Sequence, residues 1–513
     1  MVISVTLSPF VCNFRSEVRR FFFAMMDETH QSTCSAESSS FLPYFVHVLL
    51  LSDDMRNVLM LESNGGSWKL PFYQYPNRPY CKKCCEDLRR TVLNLQSNCW
   101  FTISVELFGD SVGELNGDVG YLQLAVAERH GDDITLSEKI QWKSSAFIRS
   151  ALCGSQRLSM DERAIWGKVL EIVESPEPIL HNFADPRYNL GWFDKASEWC
   201  SCVVAHSGTG AVEISQEEVS PTSTILKASL EQGDFYLKAP AIGTNEVTIV
   251  HQVAMLFSES VPQVLDVSIN THCFVSKGFI PPDLEDEELS KVVMEMGSLQ
   301  IGALKHLDSL KAAGCDVRGS DQLAKCIMEW TTSSDVKRIF ARQFPRLQRV
   351  APKLRELCSR LRKSKVPLTL IHGDLMPHNA TRRSRSEDGN GVLIFDWQYS
   401  CIAHPFCDLH EAYAELSEEA VDEYLELWSK YEDKPTAKRN LEAALPLGWC
   451  LKMWATLVCL RRSNPQELSP LEEFFFNCFE RACELVEGGE NDLDEQNVDV
   501  DASATKKNQC WEC

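Results

Sequence analysis

Leu368-Thr369-Leu370-Ile371-His372-Gly373-Asp374-Leu375-Met376-Pro377-His378-Asn379, followed after a polar stretch by Val392-Leu393-Ile394-Phe395-Asp396-Trp397, decides how this chain is read. An apolar run delivers a polar loop carrying Asp374 and Asn379, and a second apolar strand ends at Asp396. Phosphoryl transfer needs that layout. A carboxylate must face a substrate hydroxyl, while an amide oxygen and a second carboxylate hold Mg²⁺ against the phosphates of ATP. Taken alone, each Asp or Asn also suits a turn or a cap, because both residue types favour loops for conformational reasons. Their order along strand, loop and strand is what points to chemistry.

The run resembles the signature of the aminoglycoside phosphotransferase and choline kinase superfamily, a small-molecule branch of the protein-kinase-like fold. That signature is an apolar strand, His-Gly-Asp, a short variable stretch and Asn, then an apolar strand ending in Asp-Trp or Asp-Phe. Pro405-Phe406-Cys407-Asp408-Leu409 resembles the family's Pro-x-x-Asp-Leu, whose Asp braces the catalytic loop. The resemblance implies an α+β, bilobal kinase-like domain over residues 180–486, with a β-rich N-lobe (180–280) and a helical C-lobe (281–486). It implies Asp374 as the group that accepts the hydroxyl proton, Asn379 and Asp396 as Mg²⁺ ligands, and His372 as scaffold.

Upstream, Ser223 to Leu230 and Phe235 to Ala239 read as strands joined by a turn at Gln232-Gly233-Asp234. Lys238, near the end of the second strand, is the candidate cation for the nucleotide phosphates; the other reading is a snorkelling strand lysine. Glu246 opens a helix-like stretch to Phe257 and is the candidate partner of Lys238, or an acid placed near a positive helix start. The expected nucleotide-covering loop, Gln216 to Thr224, has no glycine. There Thr222, Ser223 and Thr224 offer hydroxyls to phosphate, with Glu217 and Glu218 as poor neighbours. His272 to Ser276 reads as the strand before an interlobe hinge. Helical spacing then runs through Val292–His306, Ala324–Trp330, Leu347–Leu361, Glu411–Tyr431, Leu441–Arg461 and Leu471–Val486.

Before the linker Glu174-Ser175-Pro176-Glu177-Pro178, residues 41–175 have a different order: strand Tyr44–Leu51, strand Val58–Leu61, Trp68-Lys69-Leu70-Pro71, helix Cys84–Leu95, then strands Trp100–Leu107 and Gly120–Glu128. This order resembles a Nudix α/β domain. A working Nudix helix carries Arg-Glu-x-x-Glu-Glu, whereas Arg90 here is followed by Thr91, Val92, Leu93, Asn94 and Leu95. Without those carboxylates nothing gathers the metal for diphosphate hydrolysis, so a degenerate, hydrolysis-incapable domain is expected.

The bulk properties limit the partners. With 51 basic and 73 acidic side chains the net charge is −22, which repels nucleic acid and anionic membrane. Twenty-one cysteines without a regular framework read as reduced thiols, and hence a cytoplasmic setting. Cys81, Cys84 and Cys85 lack the second pair that a zinc site needs. Residues 1–26, with Arg15, Arg19 and Arg20 against Glu17, are a transit segment, a disordered leader or an upstream extension. Residues 27–40 read as linker and 487–513 as an acidic disordered tail.

These observations lead to an ATP- and Mg²⁺-dependent phosphotransferase acting on a hydroxyl of a small molecule. The alternatives are a non-catalytic nucleotide-binding scaffold and a protein kinase. Against the first stands the joint presence of Asp374, Asn379, Asp396 and Lys238. Against the second stand the missing Asp-Phe-Gly and Ala-Pro-Glu and the short segment between Asp396 and Asp408. Glu411, Glu415 and Asp422 read either as a lure for a cationic acceptor or as solvated helix faces.

Overall fold

The computed structural model describes residues 44–487 apart from 53–54, 64–65, 76–97, 102–111, 116–117, 131–138, 156–157, 176–184, 209, 220–221, 279–283, 285–287, 342, 384–390, 463–471 and 473. The leader and linker of residues 1–40, the Cys81–Cys85 cluster, the helix expected over Cys84–Leu95 and the tail beyond 487 lie outside the described residues. So does the stretch after Arg90 on which the expectation of a hydrolysis-incapable domain rests.

In the N-terminal part, β1 (Tyr44–Leu50) pairs parallel with β7 (Asp118–His130) and antiparallel with β4 (Phe72–Tyr75). β5 (Asn98–Phe101) and β6 (Val112–Leu115) also pair with β7, and β2 (Asn57–Glu62) lies between β3 (Trp68–Lys69) and β8 (Ile140–Ser144). Helices α1 (Ser145–Ser150) and α2 (Met160–Glu174) follow, the second opened by a capping box between Ser159 and Glu162. The near-continuous apolar run of β1 is explained by burial on both faces. Phe45 and Leu49 pack with Ile165, Trp166 and Val169 of α2, while Val46, Val48 and Leu50 join a second cluster with Trp192, Phe193, Leu226 and Leu237. The Pro-containing stretch after α2 therefore separates elements that share a core.

Trp192 and Phe193 begin α3 (Trp192–Ala205), which covers one face of an antiparallel sheet. Its order is β12 (Val264–Ser268), β13 (Cys273–Lys277), β11 (Gly233–Pro240), β10 (Ser223–Leu230) and β9 (Glu213–Val219). Helix α4 (Glu246–Leu256) lies between β11 and β12 in sequence. Two expectations need correction. Most of the glycine-free stretch Gln216–Thr224 is strand, because Gln216–Val219 pairs with β10 and only residues 220–222 connect the two. His272 precedes the strand, turning at φ +52° before Cys273.

The helical region that follows contains α5 (Leu289–Ala303), α6 (Leu307–Ala312), α7 (Ser320–Trp330), α8 (Ser334–Phe340) and α9 (Phe344–Leu361). Two short hairpins follow: β14 (Thr369–Ile371) with β17 (Cys401–Ala403), enclosing β15 (Ala380–Arg382) with β16 (Val392–Ile394). The expected helix Glu411–Tyr431 is divided. Ala412–Glu415 is a 3₁₀ turn, and α10 (Glu418–Glu426) starts afresh because the Ser417 hydroxyl accepts from Ala420 N and Glu418 and Glu419 suit a helix start. Helices α11 (Lys434–Arg462) and α12 (474–487) complete this helical region. By length and apolar composition α11 is able to cross a bilayer, yet its most apolar window is 83% buried inside the protein, as a core helix is.

Candidate active site

The site starts with a close approach of backbone to backbone. At the end of β14 the chain turns through Gly373 at φ +82°, where a Cβ would lie 2.6 Å from the Tyr399 carbonyl oxygen, so this loop requires glycine. Asp408, fully buried, accepts from His372 N at 2.9 Å, Gly373 N at 2.7 Å and Gln300 Nε2 at 2.9 Å. Burial pushes its carboxyl above the usual range, against the pull of these donors. The bracing implied for Asp408 is thus a pair of hydrogen bonds from the backbone amides of the two residues before Asp374. His372 is scaffold as well: its Nε2 donates to Phe395 O at 2.9 Å and its ring meets Trp397 edge-on at 4.8 Å.

Asn379 and Asp396 leave the inner hairpin side by side. Ala380 pairs with Ile394, and Phe395 N donates to Asn379 O at 3.0 Å. Asn379 Nδ2 donates to Asp374 O at 2.8 Å, which spends the amide nitrogen on the loop and leaves the oxygen as the end able to accept or coordinate. Asp396 has φ +67°, a left-handed conformation that Asp tolerates better than most residues and that turns its carboxylate out of the strand.

Lys238, on the central strand β11 of the five-stranded antiparallel sheet, reaches across to Asp396. Its Nζ donates to Asp396 Oδ1 at 2.7 Å and Glu246 Oε1 at 2.9 Å. Glu246, completely buried, also accepts from Trp397 N at 3.1 Å. Burial opposes the charge on Lys238, but Asp396 and Glu246 together hold the ammonium above its usual range. Burial pushes the Glu246 carboxyl up, against the pull of Lys238. Ser223 stands apart from this group: its hydroxyl donates to Glu218 Oε1 at 3.0 Å on the neighbouring strand.

One feature escaped sequence reasoning. Lys452, buried in α11, donates from Nζ to Asp374 Oδ1 at 2.6 Å and to Glu411 Oε2 at 2.8 Å. It comes this close because Gly448, one turn earlier, lets α11 lie against the 405–409 segment; a Cβ there would stand 2.4 Å from Cys407 O. The available signal was a lone lysine in the apolar stretch Trp449-Cys450-Leu451-Lys452-Met453-Trp454. Among the described residues, no group of three or more His, Cys, Asp or Glu side chains is arranged to hold a metal.

Several known proteins share features with this chain. A macrolide 2'-phosphotransferase from Brachybacterium faecium is 18% identical, covers 53% of this chain and 98% of its own, and superposes with a TM-score of 0.36. The Plasmodium vivax ethanolamine kinase is 11% identical over 68% of this chain and 95% of its own, at a TM-score of 0.38. A choline/ethanolamine kinase family protein from Mesorhizobium loti is 18% identical over 57% and 99%, at 0.38. No curated protein matches. Residues 230–442 match the phosphotransferase enzyme family, and this segment holds Lys238, Glu246, Asp374, Asn379, Asp396, Asp408 and Glu411 but neither Ser223 nor Lys452. The part of the chain from 230 to 442 is thus similar to the phosphotransferase enzyme family.

Proposed function

We propose that this protein transfers the γ-phosphoryl group of ATP to a hydroxyl of a small molecule. The observation that carries the reading is a convergence from three distant parts of the chain. Lys238 of β11 and Glu246 of α4 meet Asp396 beyond β16, while a backbone hydrogen bond joins Asp396's neighbour Phe395 to Asn379 and the Asn379 side-chain amide donates to the Asp374 carbonyl.

In the reaction, the acceptor hydroxyl oxygen forms a bond to the γ-phosphorus as the bond from that phosphorus to the β,γ-bridging oxygen breaks, and ADP leaves. Asp374 takes the hydroxyl proton. Lys452 already occupies Oδ1, so Oδ2 is the oxygen that meets the acceptor. Asn379 and Asp396 would hold Mg²⁺, which when bound neutralises phosphate charge; one amide oxygen and one carboxylate suit an ion that draws its other ligands from phosphate and water. Lys238, held on a strand by two carboxylates, is placed to pass its charge to the phosphates once the nucleotide enters. Catalysis of this type is positioning and charge neutralisation, so loss of a single ligand is severe.

The test is Asp396→Ala, with titration of ATP in the presence and absence of Mg²⁺ alongside turnover. The expected outcome is loss of Mg²⁺-dependent ATP binding together with turnover. Unchanged turnover in this variant would remove the assignment.

A further inference from the structure

The ammonium of Lys452 has more around it than its two carboxylates. It stands 5.3 Å from the ring centroid of Phe474, 5.4 Å from that of Tyr399 and 5.6 Å from that of Trp449. Within about 6 Å of a ring face, a cation is attracted by the ring quadrupole. Two acids and three aromatic rings make a complete box for an organic cation, and a side chain of the protein itself fills it. Burial opposes this charge, but Asp374 and Glu411 hold the ammonium well above its ordinary range, so it stays protonated. Two titratable groups against this space, His410 and Tyr399, are neutral. Burial pushes His410, edge-on to Trp449 at 4.7 Å, down to about 3, and pushes the Tyr399 hydroxyl well up.

The acids that the sequence offered as a lure for a cationic acceptor are placed otherwise. Glu411 holds Lys452, Asp422 pairs with Lys434 at 2.7 Å, and Glu415 is exposed to solvent.

We propose, resting on the phosphotransfer reading above, that Lys452 is an internal plug of the cation subsite beside Asp374, and that the acceptor is therefore an uncharged alcohol or sugar rather than an amine or quaternary ammonium compound. An ammonium-bearing acceptor with its hydroxyl at Asp374 faces two penalties. Displacing Lys452 strands a buried cation without its partners. Sitting beside it sets two ammonium groups against each other where water screens poorly. A neutral polyol meets neither penalty.

The plug is tested without nucleotide, so this arm does not depend on phosphotransfer being correct. Lys452→Ala removes the atoms of a propylammonium ion and keeps the two acids and three rings. Thermal unfolding of the full-length wild type and of this variant is followed against propylammonium chloride, with sodium chloride at matched ionic strength as control. The variant's Tm is expected to rise with propylammonium while the wild type's does not respond. A wild type stabilised equally, or a variant that does not respond, overturns the plug. If Lys452→Ala does not fold alone, the same comparison is read as the yield of folded protein recovered with propylammonium against sodium chloride.

The acceptor class is tested on wild type with γ-labelled ATP and an equimolar mixture of sorbitol, glucose, ethanolamine and choline. Label is expected on the neutral compounds at least about tenfold faster than on the amino alcohols. Preferential label on ethanolamine or choline overturns the acceptor class, while the phosphotransfer reading survives.

Discussion

Two lysines in this protein each bridge two carboxylates, and the contrast between them shows how much of an active site a motif records. Lys238 joins Glu246 to Asp396 on the side we propose for the nucleotide, and Lys452 joins Glu411 to Asp374 on the side we propose for the acceptor. Lys238 keeps 13% of its side chain exposed, Lys452 only 1%. In the reaction proposed above, the more open lysine exchanges a carboxylate for phosphate. The enclosed one, backed by three rings, is built to stay.

The first way to break this comparison is at the acids, because a general base acts only in the chemical step. Asp374→Asn is expected to lower kcat by about 10²–10⁴ while Mg²⁺-dependent ATP binding stays near wild type. Steady-state kinetics paired with nucleotide titration checks this. Weakened ATP binding in Asp374→Asn would show that the two lysine clusters are one unit.

A smaller effect is expected on the nucleotide side. Lys238→Met removes a positioned cation, a change that typically costs about 10²–10³ in turnover where such groups stabilise developing charge. The loss is expected to be accompanied by a raised KM for ATP, with the acceptor's KM little altered. A variant with normal ATP kinetics would return Lys238 to the role of a structural strand lysine.

The difference in legibility between the two clusters is physical. Asp374, Asn379 and Asp396 are separated by short, fixed chain lengths, so local backbone geometry places them and the spacing records it. Lys238 was readable because a hairpin turn fixed its position on β11. Lys452 reaches Asp374 across 78 positions, through helix packing that no local pattern encodes. Ser223 lies apart from the other candidates for the opposite reason. Its polar neighbourhood looked like a loop, but pairing with β10 outweighed the weak strand preference of Gln216-Glu217-Glu218, and strand alternation brought Ser223 to Glu218. In Glu411–Tyr431 the periodicity was right for helix, and the start signal at Ser417 set the division.

The comparison sharpens further against buried cationic side chains that lack an acid partner. Lys238 and Lys452 keep their protons because carboxylates offset burial, whereas burial alone pushes His404 down to about 3 and leaves it neutral. Unfolded, His404 titrates near its ordinary value of about 6.5, so below that pH the unfolded chain binds a proton that the folded one refuses. Folding stability must therefore fall as pH drops from about 6.5 toward 3, in the sense of a depressed folded-state pKa. Between pH 7 and pH 5 the contribution of this one ring is about 2 kcal/mol. His404→Gln, which keeps a donor for Ser364, is expected to lessen the acid sensitivity by that amount in urea unfolding at the two pH values. An unchanged difference between pH 7 and pH 5 would mean that the ring takes up a proton within the fold, and that a buried base here needs no carboxylate to hold its charge.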